Sequence, residues 1–232
     1  LFWAGFAAVS TSSGASANTG GGCVSKLDTI ALTIMEIIVL IVFAYLLGSI
    51  PSGYIWGKFS GVDVRHVGSG NVGATNVARA VGKWQGILTL LADTAKGLIP
   101  AAIGLWLTLA PAAVAALAAA AFLGHLYPVF LNFRGGKGVA TALGALLVIA
   151  PLAGLLLVAI FAAVVFPTRL VSLSSIAAAA FAPFALWLFL APRAIVLLGA
   201  FFAAMIVWRH RGNIQRLRAG TEPRFGARSN TD

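Results

Sequence analysis

From residue 36 to residue 208 the chain is a succession of apolar runs parted by short polar joints. Most of the runs approach the twenty or so residues that an α-helix needs to cross a bilayer. No other feature narrows the possible folds so far, because backbone N–H and C=O groups in lipid must be satisfied within their own segment. Spans are expected over 36–57, 86–107, 112–131, 171–190 and 194–208. The stretch 139–166 is too long for one span and short for two. Pro151 stands in its middle and cannot donate to a continuous helix, so two short spans, 138–150 and 152–166, are expected there. The expected fold class is therefore all-α, a polytopic membrane protein of about seven transmembrane helices. Composition agrees: 60% of residues are hydrophobic and 9% charged, with mean hydropathy +0.97. A soluble core does not explain so few charges, since soluble domains carry about 25%.

The charges that remain are mostly basic, 16 Lys and Arg against 6 Asp and Glu. With the N-terminus outside and the C-terminus inside, the segments 58–84, 132–137, 167–170 and 209–232 are cytoplasmic. They hold 13 of the 16 basic residues, which fits the positive-inside rule. Charges placed in short loops and a tail between apolar spans suit anionic lipid or anionic substrates better than nucleic acid. Residues 1–34 differ from the rest. "VSTSSGASANTGGGC" is a low-complexity tract without the means to bury a core, and Met35 heads the first convincing span. The tract is expected to be a dispensable or miscalled extension, disordered if present, followed by one membrane domain over 35–226 and a short tail, 227–232.

Several chemistries are excluded. There is one cysteine (Cys23) and there are three histidines, too few for an all-cysteine or multi-histidine metal centre. No G-x-S-x-G elbow occurs, and no pair of loop carboxylates suits glycoside cleavage or two-metal catalysis. None of the three histidines is followed by the aspartate of a His-x-x-x-x-Asp arrangement.

What is left lies in four polar segments. In "VGSGNVGATNVAR", 67–79, glycines at 68 and 70 allow backbone amides to converge on an anion. Ser69, Asn71, Thr75 and Asn76 add short polar groups, and Arg79 adds a planar fork matched to phosphate. The segment also reads as a plain polar turn, and it is neither a Walker A loop nor a dinucleotide fingerprint. In "GGKG", 135–138, three glycines surround Lys137 just before an apolar helix, which suits a second phosphate cradle or an interfacial turn with a snorkelling lysine. His125, upstream, reads as a structural hydrogen-bonder before a base. "TRLVSLSSI", 168–176, offers Ser172, Ser174 and Ser175 as ligands or as packing and capping groups. In "RHRGNIQRLRAGTEPRFG", 209–226, a basic run fits a lipid anchor, while His210 and Asn213 lie one helical turn apart and can face one site.

In their order, "GSIPSGY", "VGSGNVGATNVAR", "GHLYPVF…GGKGVAT" and the "RHR-NI-RL…G-E-R" tail resemble the acyl-phosphate:glycerol-3-phosphate acyltransferase family, over residues 35–226. The resemblance implies a seven-span enzyme of the bacterial cell (inner) membrane with its active site facing the cytoplasm. It would transfer a fatty acyl group from acyl phosphate to sn-glycerol 3-phosphate, yielding 1-acyl-sn-glycerol 3-phosphate and phosphate, the first acylation of phospholipid synthesis. It implies catalytic roles for Ser69, Arg79, Lys137, His210 and Asn213. Substrate and phosphate binding would fall to Gly68, Gly70, Asn71, Thr75, Asn76, Gly135, Gly136, Gly138 and Ser172. No metal and no cofactor is expected, because the donor is already activated. The expected partners are the two substrates, membrane lipid and a soluble phosphate acyltransferase that supplies the donor, and no nucleic acid. A transporter of a phosphorylated small solute is the competing reading.

Overall fold

The structure, a computed structural model, describes residues 26–226. The expectation for the extension falls for residues 1–25, and that for the tail 227–232 wholly, outside the described residues. These form ten α-helices and no strand: α1 Lys26–Ser49, α2 Ser52–Phe59, α3 Ala74–Ala80, α4 Lys83–Trp106, α5 Pro111–Leu126, α6 Val139–Ile149, α7 Pro151–Thr168, α8 Val171–Leu188, α9 Arg193–Arg209 and α10 Arg211–Arg218. The chain divides into two units within α1, one ending at Ile38 and the other running from Val39. Among its described residues the first unit is helix alone.

Five helices are long and apolar enough to cross a membrane, six if α9 and α10, bent by 59° at His210, count as one. The protein is an all-α membrane protein. Its outward surface carries large apolar side chains such as Leu91, Leu155 and Phe166, each more than half exposed. In water such a belt would aggregate; in lipid it is the ordinary outer face. Since lipid is as apolar as leucine, helices associate there through close packing, which small residues permit. Gly48 of α1 lies against the Ala121 backbone of α5, and Gly124 of α5 against the Tyr45 carbonyl of α1. Gly97 of α4 meets the Thr141 carbonyl of α6, while Gly144 of α6 meets Thr94 of α4. In each case a Cβ would overlap backbone atoms. Aromatic packing joins α5 to α9, where the Phe122 and Phe202 rings stand 4.5 Å apart.

Proline sets several of the boundaries. The stretch 139–166 divides at Pro151, which opens α7 directly after α6. At eleven residues α6 is about 16 Å long, roughly half a hydrocarbon core. The first span extends to Phe59, with a break near its end: α1 stops at Ser49, and Pro51, with no N–H to give, starts α2. The third span runs over Pro111–Leu131 as expected, but its α-helix stops at Leu126, where Tyr127–Pro128 leads into a 3₁₀ turn over Val129–Leu131. Segment 58–84 is not all loop, since it contains α3. Its apolar Val77 is buried with Val64, Val72 and Leu131 in a small core that seats the polar loop above it.

Candidate functional site

Asn76 organises the glycine-rich loop. Its side chain is buried; Oδ1 accepts from Ser69 N–H at 2.9 Å, and Nδ2 donates to the Val64 and Val67 carbonyls at 3.0 Å each. Gly68 has φ +63°, and a Cβ there would overlap Asn76 Oδ1, so position 68 needs glycine twice over. Asn71 Oδ1 accepts from Gly73 N–H at 2.7 Å. That bond leaves the Asn71 amide N–H₂ for other partners. Asn76 is thus committed to shaping the loop, while Ser69 and Asn71 face outward from it.

The Gly135–Gly138 turn is built differently from a nest of free amides. Gly135 N–H donates to the Leu126 carbonyl and Gly136 N–H to the His125 carbonyl, both at 3.1 Å. These two amides are therefore unavailable to a phosphate, and the two glycines serve by letting the turn lie against the end of α5. Arg209, from the end of α9, holds the other edge. Its Nη2 donates to the Gly135 carbonyl at 2.7 Å and the Gly136 carbonyl at 2.9 Å, and its Nε to Gly136 at 3.1 Å. Gly138 follows with φ +84°, and a Cβ there would enter the Phe122 ring. Gly138→Ala should accordingly cost about 2 kcal/mol of stability, from left-handed strain plus overpacking. Thermal unfolding in detergent reads this out, and an unshifted midpoint would refute the packing argument.

So held, Lys137 points into a cavity of about 350 Å³ lined by Ser69, Asn71, Lys137, Arg209, Asn213 and Arg216 among others. Its Nζ donates to Asn213 Oδ1 at 2.5 Å. Asn213 Nδ2 in turn donates to Glu222 Oε1 at 2.6 Å, and Arg216 Nε to Glu222 Oε2 at 2.8 Å. Burial pulls Lys137 down to about 8; Glu222 opposes the fall, and Arg216, Arg209 and Arg79 add to it. Burial pushes Glu222 upward, but hydrogen bonding with Asn213 and Arg216 and the nearness of Ser172 and Arg216 outweigh that and leave it below its ordinary value. His210, beyond α9, is pulled down to about 4 by burial first and by Lys137 second. Its Nδ1 lies 2.8 Å from the Ile206 carbonyl, so the neutral ring carries its proton there.

Arg79 Nη2 donates to the Pro223 carbonyl at 3.2 Å, which ties α3 to the C-terminal segment close to Lys137. Thr75 is half-buried on α3. Ser174 and Ser175 donate to the Leu170 and Val171 carbonyls one turn back and belong to α8. Ser172 is buried with no hydrogen-bond partner of good geometry. Its hydroxyl lies instead close to the Glu222 carboxylate, which it helps to keep ionised. Sequence reasoning passed over Arg209, Arg211, Gln215, Arg216 and Glu222 as individual groups. They lay inside the quoted C-terminal motif, but on spacing alone a basic run there looks like a lipid anchor.

Charge placement does not by itself argue against a transporter. Asp93 and Lys96 lie well inside α4, not at its entrance, and both are buried. They are paired, however, and the void beside them is about 10 Å³, room for one water and no solute. The polar groups converge instead on the cavity at one end of the bundle, fed by the loop before α3, the turn before α6, the end of α9 and α10. Among the described residues no group of His, Cys, Asp and Glu could hold a metal.

A family description built on glycerol-3-phosphate acyltransferases matches residues 38–220, which include all of these elements. The chain belongs to that family. It is 53% identical over 188 residues to the glycerol-3-phosphate acyltransferase of Geotalea daltonii, covering 81% of this chain and 97% of that one. With the enzyme of the same name from Rubrobacter xylanophilus it shares 44% identity over 83% of this chain and 96% of the other. Crystal structures of PlsY, an integral membrane glycerol 3-phosphate acyltransferase, superpose on this glycerol-3-phosphate acyltransferase family member. The glycerol 3-phosphate form does so with TM-score 0.80 at 44% identity, and the lysophosphatidic acid form with TM-score 0.77 at 42%; both matches cover 82% of this chain and 96% of that one.

Proposed function

We infer that this protein transfers a fatty acyl group from acyl phosphate to sn-glycerol 3-phosphate. The observation that carries the reading is the cavity itself: Lys137 and three arginines beside outward-facing Ser69 and Asn71, at one end of an apolar bundle. Both substrates bring phosphate, and Arg and Lys are the side chains suited to it. The acyl tail stays in lipid, where each buried CH₂ contributes about 0.8 kcal/mol. The glycerol hydroxyl oxygen attacks the acyl carbonyl, the new C–O ester forms, and the anhydride C–O bond breaks to release phosphate. Ser69, Lys137, Asn213 and Arg79 hold phosphate oxygens, and Asn71 donates toward the acyl carbonyl oxygen, where negative charge develops.

The hydroxyl proton passes to a substrate phosphate. A group pulled down to about 4, as His210 is, makes a weak base at neutral pH. His210→Asn should therefore keep measurable turnover, with at most about a tenfold loss from disturbed packing. Abolished turnover with glycerol 3-phosphate binding intact would make His210 the base instead.

Counting α6 and α9 with the five longer helices gives seven spans, and we place the N-terminus outside, the C-terminus inside and the cavity at the cytoplasmic face of the bacterial inner membrane. The basic loops and tail support this. The donor then arrives from a soluble phosphate acyltransferase. Purified protein given acyl phosphate and labelled glycerol 3-phosphate should release lysophosphatidate and phosphate in equal amounts. No product, with bound glycerol 3-phosphate recovered unchanged, would reject the activity.

A further inference from the structure

Asp93, Lys96 and His125 take no part in the chemistry above, yet all three are buried in the body of the bundle. Lys96 Nζ donates to Asp93 Oδ1 at 2.5 Å, and His125 Nδ1 lies 3.6 Å from the same oxygen. As a stabilising device this is a poor choice, since a matched apolar pair in its place is often neutral or better. Ionisable groups within membrane spans are costly and generally serve function.

The geometry shows what the cluster holds. The His125 ring has Asp93 at its Nδ1 edge and Gly136 at its Nε2 edge, so close that a Cβ on Gly136 would overlap the imidazole. The His125 carbonyl accepts the Gly136 N–H. On the far side of the turn, Thr141 Oγ1 donates to the Asp93 carbonyl at 2.9 Å, fixing the first turn of α6 to the same point on α4. Asp93 is thereby linked to both sides of the Gly135–Gly138 turn, through His125 before it and Thr141 after it. Lys137 is the residue so suspended.

We propose that Asp93, Lys96 and His125 are positioning residues that seat the Gly135–Gly138 turn and so set where Lys137 meets a substrate phosphate. Lys96 holds the carboxylate, the carboxylate faces the imidazole across 3.6 Å, and the imidazole is the surface on which Gly136 rests. This rests on the reading that Lys137 binds substrate phosphate. It adds that the affinity of the phosphate site is set in part by an ion pair inside the membrane.

The test removes both charges together. Asp93→Leu/Lys96→Met in the full chain should unfold no earlier than wild type in detergent, while kcat/KM for glycerol 3-phosphate falls about 10- to 100-fold, the scale of a misplacement near 1 Å. In a Lys137→Ala background the same double change should cost less than about threefold more, because the group it positions is gone. A folded variant within about twofold of wild type overturns the proposal, as does a full-sized further loss in the Lys137→Ala background. Should the double variant not fold, His125→Gln is put through the same cycle under the same criteria, and failure of both to fold assigns the cluster to folding alone and overturns the proposal. If wild type forms no lysophosphatidate, the activity is what has failed; equilibrium binding of glycerol 3-phosphate and of inorganic phosphate, weakened in the variant or equal to wild type, then decides on the seat.

Discussion

Lys137→Ala lowers kcat/KM about a thousandfold, about 4 kcal/mol, in a chain that still folds. The size follows from two contributions. A hydrogen bond to a charged group is worth about 1.5–3 kcal/mol, and a fixed donor aimed at developing charge in a water-poor site reaches about 4. Burial leaves Lys137 titrating at about 8 rather than 10.5, so the pH profile identifies it. The limb of kcat/KM, which reports free enzyme, falls as pH rises through about 8, because the phosphate then meets a neutral amine. Bound phosphate stabilises the ammonium, so the limb of kcat lies at higher pH than that of kcat/KM. Stability runs the other way. Below pH 8 folded and unfolded states both carry the proton, and the folded state bears the full desolvation cost; between about 8 and 10.5 only the unfolded state keeps it, so stability rises with pH. Activity falling while stability climbs over one pH window is the signature of this lysine, and Lys137→Ala abolishes both slopes. A profile flat to pH 9.5 in wild type, or a variant within tenfold of wild type, would remove Lys137 from the phosphate site.

Why some of this could be read from the sequence and some could not has a physical basis. The spans follow from one-dimensional facts, apolar length and proline position, and the division at Pro151 is of that kind. The stop of the α5 helix at Leu126 is not, because it depends on Tyr127 and Pro128 turning back so that the Gly135 and Gly136 amides can meet α5 carbonyls nine and eleven residues earlier. Glycine-rich loops announced an anion site, yet glycine does not say whether its N–H is free. At 135 and 136 the amides are taken, and at 68 the glycine accommodates Asn76. Ser172, Ser174 and Ser175 are equivalent in sequence; only the register of α8 separates the hydroxyl that lies near Glu222 from the two that bond back to their own helix. Arg209 was invisible for a related reason. A terminal arginine of a last span looks like a lipid anchor until its three bonds to the Gly135 and Gly136 carbonyls are seen.

Glu222 is the sharpest case of a residue the sequence offered only as one letter of a motif, and Glu222→Gln is expected to cost about 150-fold in kcat/KM. Its side chain is 8% exposed and accepts from Asn213 with one oxygen and Arg216 with the other. Glutamine has one acceptor oxygen, so one of the two donors must face an N–H₂. Losing charge-assisted bonds on both sides is worth about 3 kcal/mol. Asn213 is then free to rotate away from Lys137, which loses a partner at the moment the nearest opposing charge disappears. Glu222 is the one neighbour that raises Lys137 against burial and three arginines. Its removal must therefore move the alkaline limb of kcat/KM below 8, toward neutrality. A structural defect alone would lower the whole profile without shifting it. The displacement of the limb thus separates a carboxylate that tunes the lysine from one that merely holds the C-terminal segment, and an unshifted limb in a folded Glu222→Gln variant would leave only the second role.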